Sequence, residues 1–154
     1  MPINHNLHHF VRFGALLAVN LLFLMIWGFA GIGKLINGVP SWFGDKFSQT
    51  ILATFPGLIA TFRLLALEEV FAFVLAALAL LRGEFLERRP MRFLPLMLVW
   101  SLFVFIQLGL GQWLISEFNG TFQLFLYFCG TLVALKFVAP DATGPAEPSS
   151  SAQS

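Results

Sequence analysis

The segment Leu58–Leu81 reads LIATFRLLALEEVFAFVLAALALL and holds three charged residues, Arg63, Glu68 and Glu69. A helix of about 20 mostly apolar residues is long enough to cross the hydrocarbon core of a bilayer. An ionisable side chain in such a helix costs at least ~2.5–3.5 kcal/mol on insertion scales, so it tends to face a bundle interior or a polar cavity. The segment therefore predicts a membrane-spanning helix with a buried polar spot.

Outward from this segment, three more apolar stretches are long enough to span a bilayer. With 58% hydrophobic and 11% charged residues, the chain is unlike a soluble domain, in which about 25% of residues are charged. The strand-type alternation of a membrane β-barrel is absent. We predict an all-α integral membrane four-helix bundle, residues 1–139, followed by a disordered Pro/Ser-rich tail, residues 140–154. The predicted spans are about 10–36, 58–81, 93–116 and 121–138.

Charge and motif content exclude several functions. A net charge of +1 without a basic patch gives no argument for nucleic-acid binding. Cys129 is the single cysteine, so a C-x-x-C redox pair is excluded. His5, His8 and His9 have a spacing that could place two ligands on one helical face, but no Cys or carboxylate accompanies them. We interpret them as interfacial histidines and predict no metal site.

The distribution of lysine and arginine predicts the orientation of the chain. The connection 82–92 carries four arginines and, with an even number of spans, shares a side with both termini, near Arg12 and Lys136. The opposite side holds Lys34, Lys46 and Arg63. Six basic residues against three favour a cytoplasmic location for both termini.

The long connection between the first two spans has an apolar periodicity of its own. Phe43, Phe47, Ile51 and Phe55 recur every four residues, which predicts an amphipathic helix in the membrane interface, with Trp42 as an aromatic anchor. Such a helix either covers the end of the bundle or controls access to a site beneath it.

Polar side chains of the spans are predicted to gather in the outer half of the bundle. Opposite charges at that depth should pair, because an unpaired charge in a low dielectric is costly. Lys34 and Arg63 have stems long enough to reach either glutamate. The candidate cluster is Lys34, Arg63, Glu68, Glu69, Gln107, Gln112 and Tyr127.

Small residues on the second span predict which glutamate faces a neighbouring helix. Ala72, Ala76 and Ala79 follow Glu68 at steps of three or four residues. We therefore expect Glu68 to point towards a packed neighbour, with Glu69 rotated by about 100°. The cluster has two interpretations. It is either a functional pocket, which binds the head group of a quinone, lipid or other amphiphile or relays protons, or a structural network that orients the four helices.

Three short motifs resemble the DoxX-like family of four-helix membrane proteins, which includes DoxX, DoxD and MauE types. The first span ends in GFAGIGKLIN, residues 28–37, in which a run of small residues leads into Lys34. Glu69-Val-Phe-Ala72 resembles the glutamate motif of the family's second helix, and the arginine-rich stretch 82–92 resembles its next turn. By this resemblance, which covers residues 12–138, Lys34 and Glu69 are the family's site positions.

The resemblance implies a multi-pass protein of the bacterial inner membrane. It implies a subunit of, or accessory protein to, a quinone-linked redox assembly, because members are linked to thiosulfate:quinone oxidoreductase subunits and to maturation of periplasmic redox enzymes. Other membrane subunits and membrane lipids are then the expected partners. No cofactor is expected on this chain itself, and quinone is the candidate ligand. Two alternatives stay open: a stand-alone quinone-binding or lipid-binding oxidoreductase component, and a small transporter or structural membrane protein.

Overall fold

In a computed structural model, residues 5–86 and 89–138 of the 154-residue chain are described, and the predicted tail 140–154 lies outside them. All regular structure in these residues is helical. The elements are α1 (His5–Trp27), a π-helical turn (Gly28–Ile32), α2 (Gly33–Asn37), α3 (Ser41–Phe47), α4 (Ile51–Thr54), α5 (Leu58–Leu81), α6 (Phe93–Leu114) and α7 (Phe118–Val138).

Four helical segments in the described residues are long and apolar enough to cross a membrane, which confirms the predicted all-α four-helix membrane fold. The first is continuous through α1, the π turn and α2, from Leu7 to Asn37, and the others are α5, α6 and α7. The turn between α6 and α7 is shorter than expected. Ser116 adopts a left-handed conformation (φ 60°), and the Glu117 N–H donates to the Gln112 carbonyl at 2.9 Å, which ends α6 at Leu114.

The core lies mainly between α1, α5 and α6. Helix α5 packs against α1 and the π turn on one side and against α6 on the other, and α6 packs against α7. Trp27, 1% exposed, donates its indole N–H to the Ser101 hydroxyl at 2.8 Å and so connects α1 to α6. Helix α7 buries Thr131 and Val138 among the described residues and leaves most of its surface for lipid.

A face of small residues on α5 receives α1. Ala72, Ala76 and Ala79 are fully buried, which lets the two helices approach closely. Asn20 of α1 is also fully buried. With the amide of Asn20 oriented so that its nitrogen and its oxygen both form hydrogen bonds, the nitrogen donates to the Ala76 carbonyl at 3.0 Å and the oxygen accepts from the Leu80 N–H at 3.1 Å. This side chain fixes the register of α1 on α5.

The connection between α2 and α5 forms two short helices where one amphipathic helix was predicted. Phe43 and Phe47 of α3 are buried, whereas Ile51 and Phe55 are 69% and 79% exposed. Helix α3 ends because Thr50 is extended and its hydroxyl donates to the Phe47 carbonyl at 2.8 Å. Only the first half of the predicted apolar face therefore packs on the bundle. We call α3 and α4 the cap, and this end of the bundle the capped end.

At the opposite end, Glu84 caps the first turn of α6. Glu84 is 1% exposed. Both of its carboxylate oxygens accept a hydrogen bond from the Phe93 N–H, at 2.9 Å each, and Oε2 also accepts one from the Leu94 N–H at 2.8 Å. The first N–H groups of a helix have no partner within the helix, and a carboxylate there also interacts favourably with the helix dipole. This role of Glu84 was not predicted from the sequence.

Replacing Glu84 with alanine is expected to destabilise the protein by about 1–2 kcal/mol, because the N–H groups of Phe93 and Leu94, the latter buried, lose their acceptor. Unfolding in mixed detergent and SDS micelles, followed by circular dichroism, measures the change. Glu117→Ala is the matched control: its carboxylate is half exposed and pairs with Lys46, so its loss should cost less than about 1 kcal/mol. Equal losses in the two variants would contradict the capping role.

Candidate functional site

Lys34 of α2 and Glu69 of α5 form a close ion pair at the capped end. The Lys34 ammonium donates to Glu69 Oε1 at 2.7 Å and to Oε2 at 2.6 Å. The Glu69 side chain is 1% exposed and that of Lys34 is 24% exposed. An ammonium carries three hydrogens, and in the described residues Glu69 takes two of them. The third remains for an acceptor on the open side of Lys34.

The glycines of the π turn bring the two charged residues together. A Cβ at Gly31 would lie 2.8 Å from the Val70 backbone nitrogen and 3.0 Å from the Glu69 carbonyl carbon. Only glycine therefore lets the turn touch the backbone of α5 at this position. Lys34 follows three residues later, about one helical turn on, and reaches the carboxylate beside the contact. Single π turns within α-helices are frequent at functional sites.

The two adjacent glutamates differ in environment, and Glu69 is the more buried of the two. Glu69 shares the buried face of α5 with the alanines of the small-residue face, where the π turn packs. Glu68 is partly exposed, and its Oε2 is buried without a hydrogen-bond partner among the described residues. Its backbone carbonyl accepts the Trp100 indole N–H at 3.0 Å, so Glu68 lies on the α6 side of α5.

A cavity of about 640 Å³ lies beneath the cap, within the size range of small-molecule sites. Its wall is mostly apolar and aromatic, and the side chains of Lys34, Gln107 and Gln112 lie on it. In the described residues neither glutamine side chain forms a hydrogen bond, so both can serve a ligand. The apolar lining includes Phe29, Ala30, Trp42, Phe43, Phe47, Leu52, Phe62, Leu64, Leu65 and Leu108.

The cap is held over this cavity by an aromatic cluster. Phe43 stacks on Phe47 with ring centroids 4.6 Å apart and meets Phe62 of α5 edge-on at 5.1 Å. Lys46 forms an exposed ion pair of 3.1 Å with Glu117 in the turn between α6 and α7. Because an exposed ion pair contributes little energy, the aromatic contacts carry most of the cap's attachment.

Of the seven predicted cluster residues, Lys34, Gln107 and Gln112 line the capped cavity and Glu69 pairs with Lys34, whereas in the described residues Arg63, Glu68 and Tyr127 do neither. Arg63 is exposed and lines a second cavity of about 300 Å³, which Lys34 also borders. Tyr127 is 54% exposed, its ring lies 5.9 Å from that of Phe105, and it does not line the capped cavity. The sequence placed Tyr127 at the right depth without fixing the face of α7 on which it lies.

The fold and the site together define a class: a four-helix membrane bundle with a buried lysine–glutamate pair beside a capped, largely apolar cavity. Comparisons of the chain with protein-family models, with curated proteins and with solved structures found no match. Assignment to the DoxX-like family therefore stays a prediction that depends on the motifs around Lys34, Glu69 and the arginine-rich connection.

Proposed function

We propose that this protein binds an amphiphile with an oxygen-bearing head group in the cavity beneath the cap, and that the ligand is a quinone. The observation that carries the proposal is the position of Lys34. Its ammonium is fixed by Glu69, borders an apolar cavity and keeps one hydrogen for an acceptor. A small number of placed polar groups in an apolar cavity is typical of small-molecule sites.

A quinone head group fits the chemistry of this wall. Its ring is flat and apolar and can pack among the aromatic side chains, while its two carbonyl oxygens accept hydrogen bonds. Lys34 can donate to one oxygen, and the Gln107 carboxamide, which also lines the cavity, can donate to the other. In the reduced ligand the hydroxyls become donors, for which the Gln107 carbonyl oxygen is an available acceptor.

We further propose that the protein serves as a membrane subunit of, or accessory protein to, a quinone-linked redox assembly in the bacterial inner membrane. Support comes from the DoxX-like motifs, which include both members of the ion pair. With both termini in the cytoplasm, as the lysine and arginine distribution favours, the capped cavity opens on the outer side. Native purification in mild detergent, followed by mass spectrometry, tests the assembly. Redox subunits in stoichiometric amounts are expected, and a protein that carries bulk lipid alone would contradict this role.

Replacing Gln107 with leucine tests the cavity without disturbing the ion pair. A short-chain quinone is titrated into the protein in lipid nanodiscs, and quenching of tryptophan fluorescence reports occupancy, because Trp42 lines the cavity. Loss of one hydrogen bond should weaken binding by about threefold to tenfold. Gln123→Leu is the matched control, since Gln123 is also an exposed glutamine but lies on α7 away from the cavity. Equal affinities in the wild type and both variants would contradict this binding mode.

A structural role for the ion pair is the second candidate function. The observation in its favour is the burial of Glu69, whose two carboxylate oxygens are both occupied by Lys34. A pair with this role holds α2 against α5 whether or not a ligand is present. The double variant Lys34→Met with Glu69→Leu separates this structural role from ligand binding.

A further inference from the structure

Another cavity, of about 600 Å³, lies between α1 and α7 at the end of the bundle opposite the cap. It is lined by Arg12 and His8 on α1 and by Lys136 on α7, and its remaining wall is apolar. Helix α7 packs mainly on α6, which leaves this side of the bundle open to the membrane. The cavity is thus a groove with two cations and apolar sides.

The two cations lie near the ends of their spans, within reach of lipid head groups at the membrane surface. Arg12 is five residues, or about 8 Å, from the first residue of the Leu7–Asn37 span, and Lys136 is two residues, or about 3 Å, from the end of α7. Both side chains are exposed. The apolar wall continues along α1 through Ala15 to Val19, which is the direction an acyl chain takes from a head group at the surface.

No carboxylate in the described part of the chain neutralises these cations. Neither Arg12 nor Lys136 forms an ion pair there. Glu84 is the one carboxylate described at this end, and it is buried and bound to the first turn of α6. An external anion is therefore the matching partner for the positive charge.

We infer that this groove is a binding site for a phospholipid with an anionic phosphate head group. The phosphate lies between Arg12 and Lys136, and one acyl chain follows the apolar wall of α1. Basic pockets between membrane helices are an established form of anionic-lipid recognition. The apolar wall, open to the membrane, selects a lipid over a free phosphate ion. This site is separate from the capped cavity and does not depend on the proposed quinone binding.

The test compares phosphatidylglycerol with phosphatidylcholine on the full-length protein. Each lipid is titrated into detergent-purified protein, and native mass spectrometry counts the lipids that stay bound. The wild type is expected to prefer phosphatidylglycerol, and Arg12→Gln with Lys136→Gln should weaken that binding by about thirtyfold. Lys136→Gln alone, at the exposed end of α7, should weaken it by about fivefold and serves if the double variant does not fold.

Arg89→Gln with Arg92→Gln is the control, because these exposed arginines lie at the same end but do not line the groove. It should bind phosphatidylglycerol like the wild type. If the control lost as much phosphatidylglycerol affinity as the Arg12/Lys136 variant, the lipid would be held by general surface charge, which would overturn the proposed site. Unchanged affinity in the Arg12/Lys136 variant would also overturn it. Displacement of the lipid by inorganic phosphate would make the free ion the ligand and would also overturn the lipid proposal.

Discussion

Lys34→Met is expected to destabilise the protein by about 3–5 kcal/mol, because it leaves the Glu69 carboxylate, 1% exposed, without a counter-charge. Glu69→Gln should cost less, about 1–3 kcal/mol, because the Lys34 ammonium is 24% exposed and can turn to water. The direction of this asymmetry follows from the unequal burial of the two partners. Unfolding in mixed micelles with SDS, followed by circular dichroism, measures both variants.

The double variant Lys34→Met with Glu69→Leu separates the two candidate roles of the pair. Replacing both charges with apolar groups of similar size should recover much of the stability lost in Lys34→Met, since neither charge remains unpaired. If the pair binds a head group, the stable double variant should still lose quinone affinity by at least about tenfold. A double variant that is stable and binds quinone like the wild type would leave the pair with a structural role alone.

Gly31→Ala is expected to cost about 1–3 kcal/mol and to disturb the ion pair. The new methyl group would lie 2.8 Å from the Val70 backbone nitrogen, and a backbone atom cannot move aside without shifting α5 or the π turn. Because Glu69 lies at the same contact, its distance to Lys34 should grow as well. The same unfolding experiment measures the stability, and quinone titration measures the effect on the site.

Gly33→Ala is the matched control for this substitution. Gly33 lies two residues further on with helical backbone angles, and a Cβ there meets no atom within 4 Å. Alanine should therefore leave stability unchanged or raise it by up to about 1 kcal/mol, as its helix propensity predicts. If Gly31→Ala were as well tolerated as Gly33→Ala, the close contact of the π turn with α5 would not matter for stability.

The apolar runs alone were sufficient to predict the four spans, since each is long enough to cross a bilayer whatever its neighbours do. Helix α5 has the predicted ends because Pro56-Gly57 and Gly83 interrupt the helical pattern on either side. The cap was predicted only in part. Four-residue spacing identified Phe43 and Phe47, but the hydrogen bond from Thr50 to the Phe47 carbonyl, which ends α3, depends on local competition that spacing does not show.

For the site, residue type and depth predicted the polar cluster but not its geometry. Lys34 and Glu69 could be named because opposite charges within a span should pair and because the family motifs include them. Glu68 was expected to point towards a packed neighbour; it lies against α6, but Glu69 is the more buried of the two and shares the alanine face. Ala72 follows Glu68 by four residues and Glu69 by three, so the spacing allows either glutamate to share the alanine face. The packing of Gly31 against Val70 places Glu69 there. The role of Glu84 was missed because the connection 82–92 was considered only for its arginines.

Photolabelling can locate a bound quinone on the protein. A quinone carrying a photoreactive azide is bound to the protein in nanodiscs and irradiated, and mass spectrometry identifies the labelled peptides. We expect labels on α3 and on the adjoining half of α5, around Phe43 and Phe62, and we expect excess unlabelled quinone to suppress them. Labels confined to the lipid-facing surface of α7, for example at Phe125 or Val133, and not suppressed by competition, would contradict a quinone site beneath the cap.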